Sequence, residues 1–223
     1  MRNPTKTEPA KFLHRYASLA PLILAGFLHQ QIISPAVSAT FSNPGTIVIS
    51  DHTAATPYPS SILVSGLVGS VSDVNVTLTG FSHTFTSDVS ILLQGPFSPS
   101  VLLMSHAGTG TTSSLNLTFD DSAPSSLPQS GLLQSGTFDP TQYGSVTLPA
   151  PAPAGPYNTA LSSFNGSSPN GTWSLFVFDD AFGDVGAIMG GWSLTLTTVP
   201  EPSSWALLSL GIPALLVARR RRP

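Results

Sequence analysis

The sequence predicts an all-β protein, an antiparallel jelly roll or β-sandwich of about eight strands. Three observations carry this expectation. Short runs alternate apolar and polar residues with period two, as in Val74, Val76 and Leu78 against Asn75, Thr77 and Thr79. Turn signals separate the runs, among them Asn165-Gly166, Asn170-Gly171, Gly190-Gly191 and several proline clusters. Between the two ends of the chain no segment has a convincing helical pattern.

The elements follow in chain order. Residues 1–39 read as a secretory signal. Arg2, Lys6, Lys11 and Arg15 make a basic start, Ala17–Leu28 is a short apolar run, and small residues precede a cut after Ala39. That run is short for a membrane span of ~20 residues. A single β domain is expected over residues 40–199. "TIVISD" and "SSILVSG" open it, followed by the alternating "SDVNVTLTGF". "DVSILLQGP", "SVLLMS" and "SLNLTFDD" are apolar enough to be interior strands, as is "GTWSLFVFDD". "WSLTLTT" closes the domain with Trp192, Leu194 and Leu196 on one face.

Between the two acidic-ended strands lies a long proline-rich segment. Its prolines exclude a central strand. We read it as an ordered wrap-over loop with one or two short strands, hydrophobic plugs at Phe138 and Tyr157, and an extended polyproline-like "TLPAPAPAGP".

Residues 200–223 form a tail: Pro200, Glu201 and Pro202, an apolar run Ser203–Ala218, then Arg219, Arg220, Arg221 and Arg222. As a helix the run spans ~24 Å, short of a ~30 Å hydrocarbon layer but bridgeable by local thinning and snorkelling. One C-terminal transmembrane helix is therefore expected, with its arginines on the cytoplasmic side and the body outside.

Charge is sorted along the chain. Only 9% of the 223 residues are charged, against ~25% in ordinary soluble domains. All eight Lys and Arg lie in the two end segments, and none falls between Thr40 and Val199. A body whose charged side chains are aspartates is repelled by phosphate backbones, so nucleic acid is excluded as a partner. The chain has no cysteine, which removes disulfides, thiolate metal sites and a cysteine nucleophile.

Two resemblances add to this reading. The Pro-Glu-Pro triplet, short apolar run and terminal arginine cluster resemble the PEP-CTERM sorting signal of exported proteins in Gram-negative, exopolysaccharide-producing bacteria. The resemblance implies processing near Pro200-Glu201-Pro202 by an exosortase-type enzyme. It also implies transient residence in the inner membrane, then the cell surface or extracellular matrix. From Ser50 to Thr198 the chain is similar to the P domain of proprotein convertases, most closely over "NGTWSLFVFDDAFGDVGAIMGGWSLTL". That implies a jelly roll found beside subtilisin-like proteases and also alone in bacterial surface proteins. Ser90 stands where bacterial relatives often carry a further aspartate.

The chemistry-bearing motifs are few. There is no G-x-S-x-G elbow, no H-E-x-x-H and no P-loop. His83 and His106 read as strand-end or turn residues. Asp120-Asp121 and Asp179-Asp180, with Asp184, follow apolar strands, and Asp88 opens another. Converging at one end of a sandwich, and with no Lys or Arg to neutralise them, they suit Ca²⁺, which takes 6–8 oxygen ligands. The alternative is that these aspartates cap turns. The function expected is a non-enzymatic surface or matrix protein, with exopolysaccharide as a partner. The alternatives are an accessory module for a separately encoded subtilisin-like protease, or a hydrolase with an unrecognised site.

Overall fold

The computed structural model describes residues 35–97 and 99–200. The basic and apolar parts of the signal segment, Glu201, Pro202, the expected membrane-spanning run and Arg219–Arg222 lie outside the described residues. Among the described residues no helix is long and apolar enough to cross a membrane.

Two β-sheets face each other. The first contains β1 (Val37–Asn43), β2 (Ile47–Ile49), β4 (Ser70–His83), β7 (Thr112–Phe119), β8 (Gly136–Phe138), β11 (Gly186–Ile188) and β12 (Trp192–Val199). The second runs in the order β3 (Ser60–Val64), β10 (Gly171–Asp179), β5 (Val89–Gln94), β6 (Ser100–Ser105) and β9 (Thr141–Gln142). Antiparallel ladders make the frame, and the short strands β8 and β9 add on in parallel to β7 and β6. The all-β sandwich expected from the sequence is the observed architecture.

The long strand β4 organises the first sheet. One of its edges pairs with β12 at the start and β11 at the end, and the other pairs with β7. Its alternation buries Val71, Val74, Val76, Leu78, Phe81 and His83. Strand β12 presents Trp192, Leu194 and Leu196 to the same core, as the period-two pattern predicts. Each such Val, Leu or Phe contributes on the order of 1.5–3 kcal/mol by leaving water.

The second sheet is apolar on both faces, which explains its unalternating strands. Trp173, Leu175 and Val177 of β10 point into the main core. Phe176 points outward and packs with Leu92, Leu102 and Leu148 beneath the proline-rich segment. Tyr58 and Tyr157 fasten that cover by donating to the carbonyls of Pro149 and Pro153, each at 2.9 Å. The wrap-over loop carries its two short strands, β8 and β9, and Phe138 packs against the main core as a plug. It is not extended throughout: the Ala152 N–H donates to Pro149 O at 3.1 Å, closing a turn inside "TLPAPAPAGP".

The first three residues of strand β1, Val37–Ala39, fall in the stretch that reads as the end of the signal segment, and Thr40–Asn43 fall in the expected β domain. The whole strand lies at the edge of the sheet, paired with β12 from Val37↔Thr198 to Asn43↔Trp192. Ala39 sits within it, so a cut after Ala39 leaves Thr40–Asn43 as the paired remainder. Because β1 begins where β12 ends, the chain enters and leaves the sandwich at the same end.

Candidate functional site

The histidines of the described residues gather at the other end of the sandwich, where β4 finishes, together with Asp51, Asp88, Asp179, Asp180 and Asp184. Fourteen residues at ~3.3 Å each put that end about 45 Å from Ser70. His83 is the last residue of β4 and Asp179 the last of β10, so the two come from opposite sheets. His83 Nε2 lies 3.0 Å from Asp179 Oδ2, with both side chains sealed from solvent. The contact is off the line of a good hydrogen bond, so its attraction is chiefly electrostatic. Asp179 Oδ1 accepts the Ala181 N–H at 3.1 Å. His83 Nδ1 stands 2.9 Å from the Phe85 carbonyl and 3.3 Å from the Phe85 N–H. A neutral ring protonated on Nε2 accepts that N–H, whereas a proton on Nδ1 is donated to the carbonyl.

A second pair lies above the first. His106 follows β6 and its Nε2 is 3.2 Å from Asp180 Oδ2, with about a quarter to a third of each side chain exposed. His106 and His52 both hold left-handed backbone, at φ 52° and 46°, a conformation in which histidine is enriched among non-glycine residues. The His52 ring lies 3.9 Å from that of Phe182, and Asp51 accepts the Gly183 N–H at 2.7 Å. These contacts tie the β10–β11 loop to the turn that follows β2.

Asp88 completes the group from the turn before β5, where its carbonyl accepts the Asp180 N–H at 2.9 Å. Burial, then the charges of Asp179, Asp184 and Asp180, push its carboxyl up to about 6, opposed by His83. Burial also raises Asp180; His106 and His52 pull it down while Asp179 pushes it up. For Asp88 the sign is fixed: a raised folded-state value contributes stability below about pH 4 that is lost as pH climbs through 6. Asp88→Asn is therefore expected to raise stability at pH 7 by on the order of 1 kcal/mol, after allowance for solvent screening. The gain should vanish near pH 4, which thermal melts of both proteins across pH would read.

The six aspartates singled out in the sequence do not converge. Asp88, Asp179, Asp180 and Asp184 share the histidine end, whereas Asp120 and Asp121 follow Phe119, whose partner Val76 lies midway along β4, and they act on Asp73 nearer its start. Asp120 Oδ1 accepts the N–H and hydroxyl of Ser122, both at 2.8 Å. Asp121 caps the short 3-10 turn Leu161–Phe164, taking the N–H groups of Leu161 and Ser162 at 2.7 Å each. These two carboxylates do what turn-capping aspartates do, and with Asp73 they form a separate acidic group. Among the described residues no three His, Asp or Glu side chains are arranged to hold a metal ion.

The sequence placed His83 and His106 at strand ends, but it did not pair them with Asp179 and Asp180. The signal was present in the strand endings "FSH", "MSH" and "FDD". What was missing was the strand order that brings those endings together. Each histidine has a carboxylate, and no serine or threonine hydroxyl hydrogen-bonds either imidazole among the described residues. A Ser-His-Asp relay needs that third contact.

Comparison with known proteins places the other functional element in the tail. Residues 198–222 match the PEP-CTERM protein-sorting motif. That motif implies an exported protein, anchored at the membrane before processing by an exosortase-type enzyme. No curated protein matches the chain. Among solved structures, the chain is similar to one in the complex of the Aeromonas sobria serine protease and its chaperone. That match has 16% identity, a TM-score of 0.41 and coverage of 75% of this chain. It is also similar to the Aeromonas sobria serine protease alone, at 15% identity, TM-score 0.41 and 76% coverage. In both cases it spans 28% of the other chain's length.

Proposed function

We propose that the protein is a non-enzymatic binding module of the cell surface or extracellular matrix, delivered there by its C-terminal sorting tail. The observation that carries this reading is the sorting motif at 198–222, whose first residues, Thr198 and Val199, are the last of β12. The folded body thus ends where the processing signal begins. Cleavage near Pro200-Glu201-Pro202 separates the membrane segment from the body without removing a strand.

Once released, the body meets its surroundings with an acidic, lysine-free and arginine-free surface. Such a surface suits neutral or cation-bridged polymers better than anionic ones. Exopolysaccharide is the partner class in this reading. Calcium, where it takes part, is shared between the polymer and single carboxylates among Asp88, Asp180 and Asp184, because no three of the described carboxylates are arranged to hold an ion by themselves and Asp120 and Asp121 are occupied by turns. Raised Asp88 and Asp180 carboxyls support this reading, since a bound cation relieves the like-charge crowding behind part of those shifts.

The test is co-sedimentation of the purified body with exopolysaccharide from the producing cells, with calcium and with chelator. Binding that weakens in chelator is the expected result. Absence of binding in both conditions would count against the matrix role. Stable capture of a subtilisin-like protease by the same body would favour the accessory-module alternative.

A further inference from the structure

The end at which the chain enters and leaves the sandwich carries a group of exposed apolar residues. Val199 pairs with Ser70 and Val37 with Thr198, so the start of β1, the end of β12 and the β3–β4 loop share this end. Gly69 packs so closely on the Val199 carbonyl that a side chain there would collide with it. That contact presents Val68, 75% exposed, beside Pro200, with which it lines one cleft. The neighbouring loop is joined on by Asn170, which accepts the Leu67 N–H at 3.1 Å and donates to Leu67 O at 2.7 Å. A side chain at Gly171 would in turn meet Pro96, which places the β5–β6 turn and Phe97 at the same end. Phe97 is 69% exposed, and Val37 and Val199 are also exposed.

The three loops at its tips are uncharged, and the acidic group of Asp73, Asp120 and Asp121 lies behind them. Residues 65–72, 95–100 and 165–171 contain no Asp, Glu, Lys or Arg. The nearest carboxylate along β4 is Asp73, three residues in from Ser70 and thus about 10 Å up the strand. The apolar tail run starts at Ser203, after only Pro200, Glu201 and Pro202. Three residues reach at most about 10 Å even when fully extended. A bilayer holding that run therefore begins within about 10 Å of Pro200, which shares its cleft with Val68.

We propose that this end of the sandwich docks on the lipid surface, with the Val68 and Phe97 tips entering the interface while the tail anchors the precursor. The inference rests on the membrane-anchored precursor described above. Apolar loop tips gain by leaving water at the headgroup boundary, where aromatic rings are favoured. Docked in this way, the sandwich stands with its His-Asp end outermost, and the Pro200–Pro202 segment is held at the membrane, where an embedded enzyme can reach it.

The chain has no cysteine, so single-cysteine labelling is clean. Full-length Val68→Cys and Phe97→Cys, each carrying an environment-sensitive fluorophore, would be reconstituted into phosphatidylcholine vesicles. Leu132→Cys serves as the control, because Leu132 is exposed and packs near Gly110, whose carbonyl accepts the Thr86 N–H at the far end. The expected result is blue-shifted emission at Val68 and Phe97, quenched by spin-labelled lipid, with water-like emission at Leu132. Vesicle-bound protein whose tips read water would overturn the docking and leave the anchoring intact. A chain that does not co-float with vesicles would overturn the anchoring and the docking with it. A blue shift that needs no vesicles and grows with protein concentration would assign this end to a second copy of the chain instead.

Discussion

Replacing His83 by alanine is expected to lower the melting temperature of the body by about 10 °C. The substitution leaves the Asp179 carboxylate fully buried, with the Ala181 N–H on Oδ1 and no imidazole facing Oδ2. Removing one member of a buried pair costs about 3–5 kcal/mol, because the other charge cannot return to water. For a domain of this size each kcal/mol moves the midpoint by about 2–4 °C. The mechanism makes a second demand. Adding Asp179→Asn to His83→Ala removes the stranded charge, so the double variant should recover part of the loss. Equal melting of the single and double variants would assign the cost to lost packing at the end of β4 rather than to the carboxylate.

Trp192→Ala should cost about 3–5 kcal/mol by opening a cavity in the main core. Trp192 begins β12 and is 1% exposed. Its indole N–H crosses to the other sheet and donates to the Ser60 hydroxyl at 3.0 Å, at the edge where Asn43 also donates to Ser60 at 3.2 Å. This one side chain therefore fills volume and ties β12 to β3. Trp192→Phe separates the two roles. It keeps much of the ring volume and loses the N–H, so a loss nearer 1 kcal/mol is expected in denaturant unfolding. If phenylalanine costs as much as alanine, the cross-sheet hydrogen bond outweighs packing.

The residues themselves show why some of this architecture was legible and some was not. Alternation in "SDVNVTLTGF" and "WSLTLTT" gave the inward faces of β4 and β12, because one side of that sheet faces solvent. The second sheet carries apolar residues on both faces, and its strands were found as apolar runs between turn signals. Strand β1 was hidden because small residues before Ala39 suit both a signal cleavage site and an edge strand. The three-residue β11, "GAI", has too little sequence for any period to register.

The candidate site depended on strand order. Asp121 and Asp179 both follow apolar runs, yet one caps a 3-10 turn and the other pairs with a histidine from the opposite sheet. Adjacent aspartates on an emerging strand do point to different surroundings, as strand geometry requires. Which surroundings they reach is set by residues about a hundred positions away: Asp179 meets His83 only because β4 and β10 end at the same edge.

If the body leaves the cell as a tail-anchored precursor and the tail is then removed, the native C-terminus differs between compartments. Mass spectrometry of that terminus, taken separately from cytosolic, membrane and surface fractions, should find full-length chains in the membrane and surface chains ending near Pro200–Pro202, without Arg219–Arg222. Intact chains ending at Pro223 and confined to the cytosol would rule this route out.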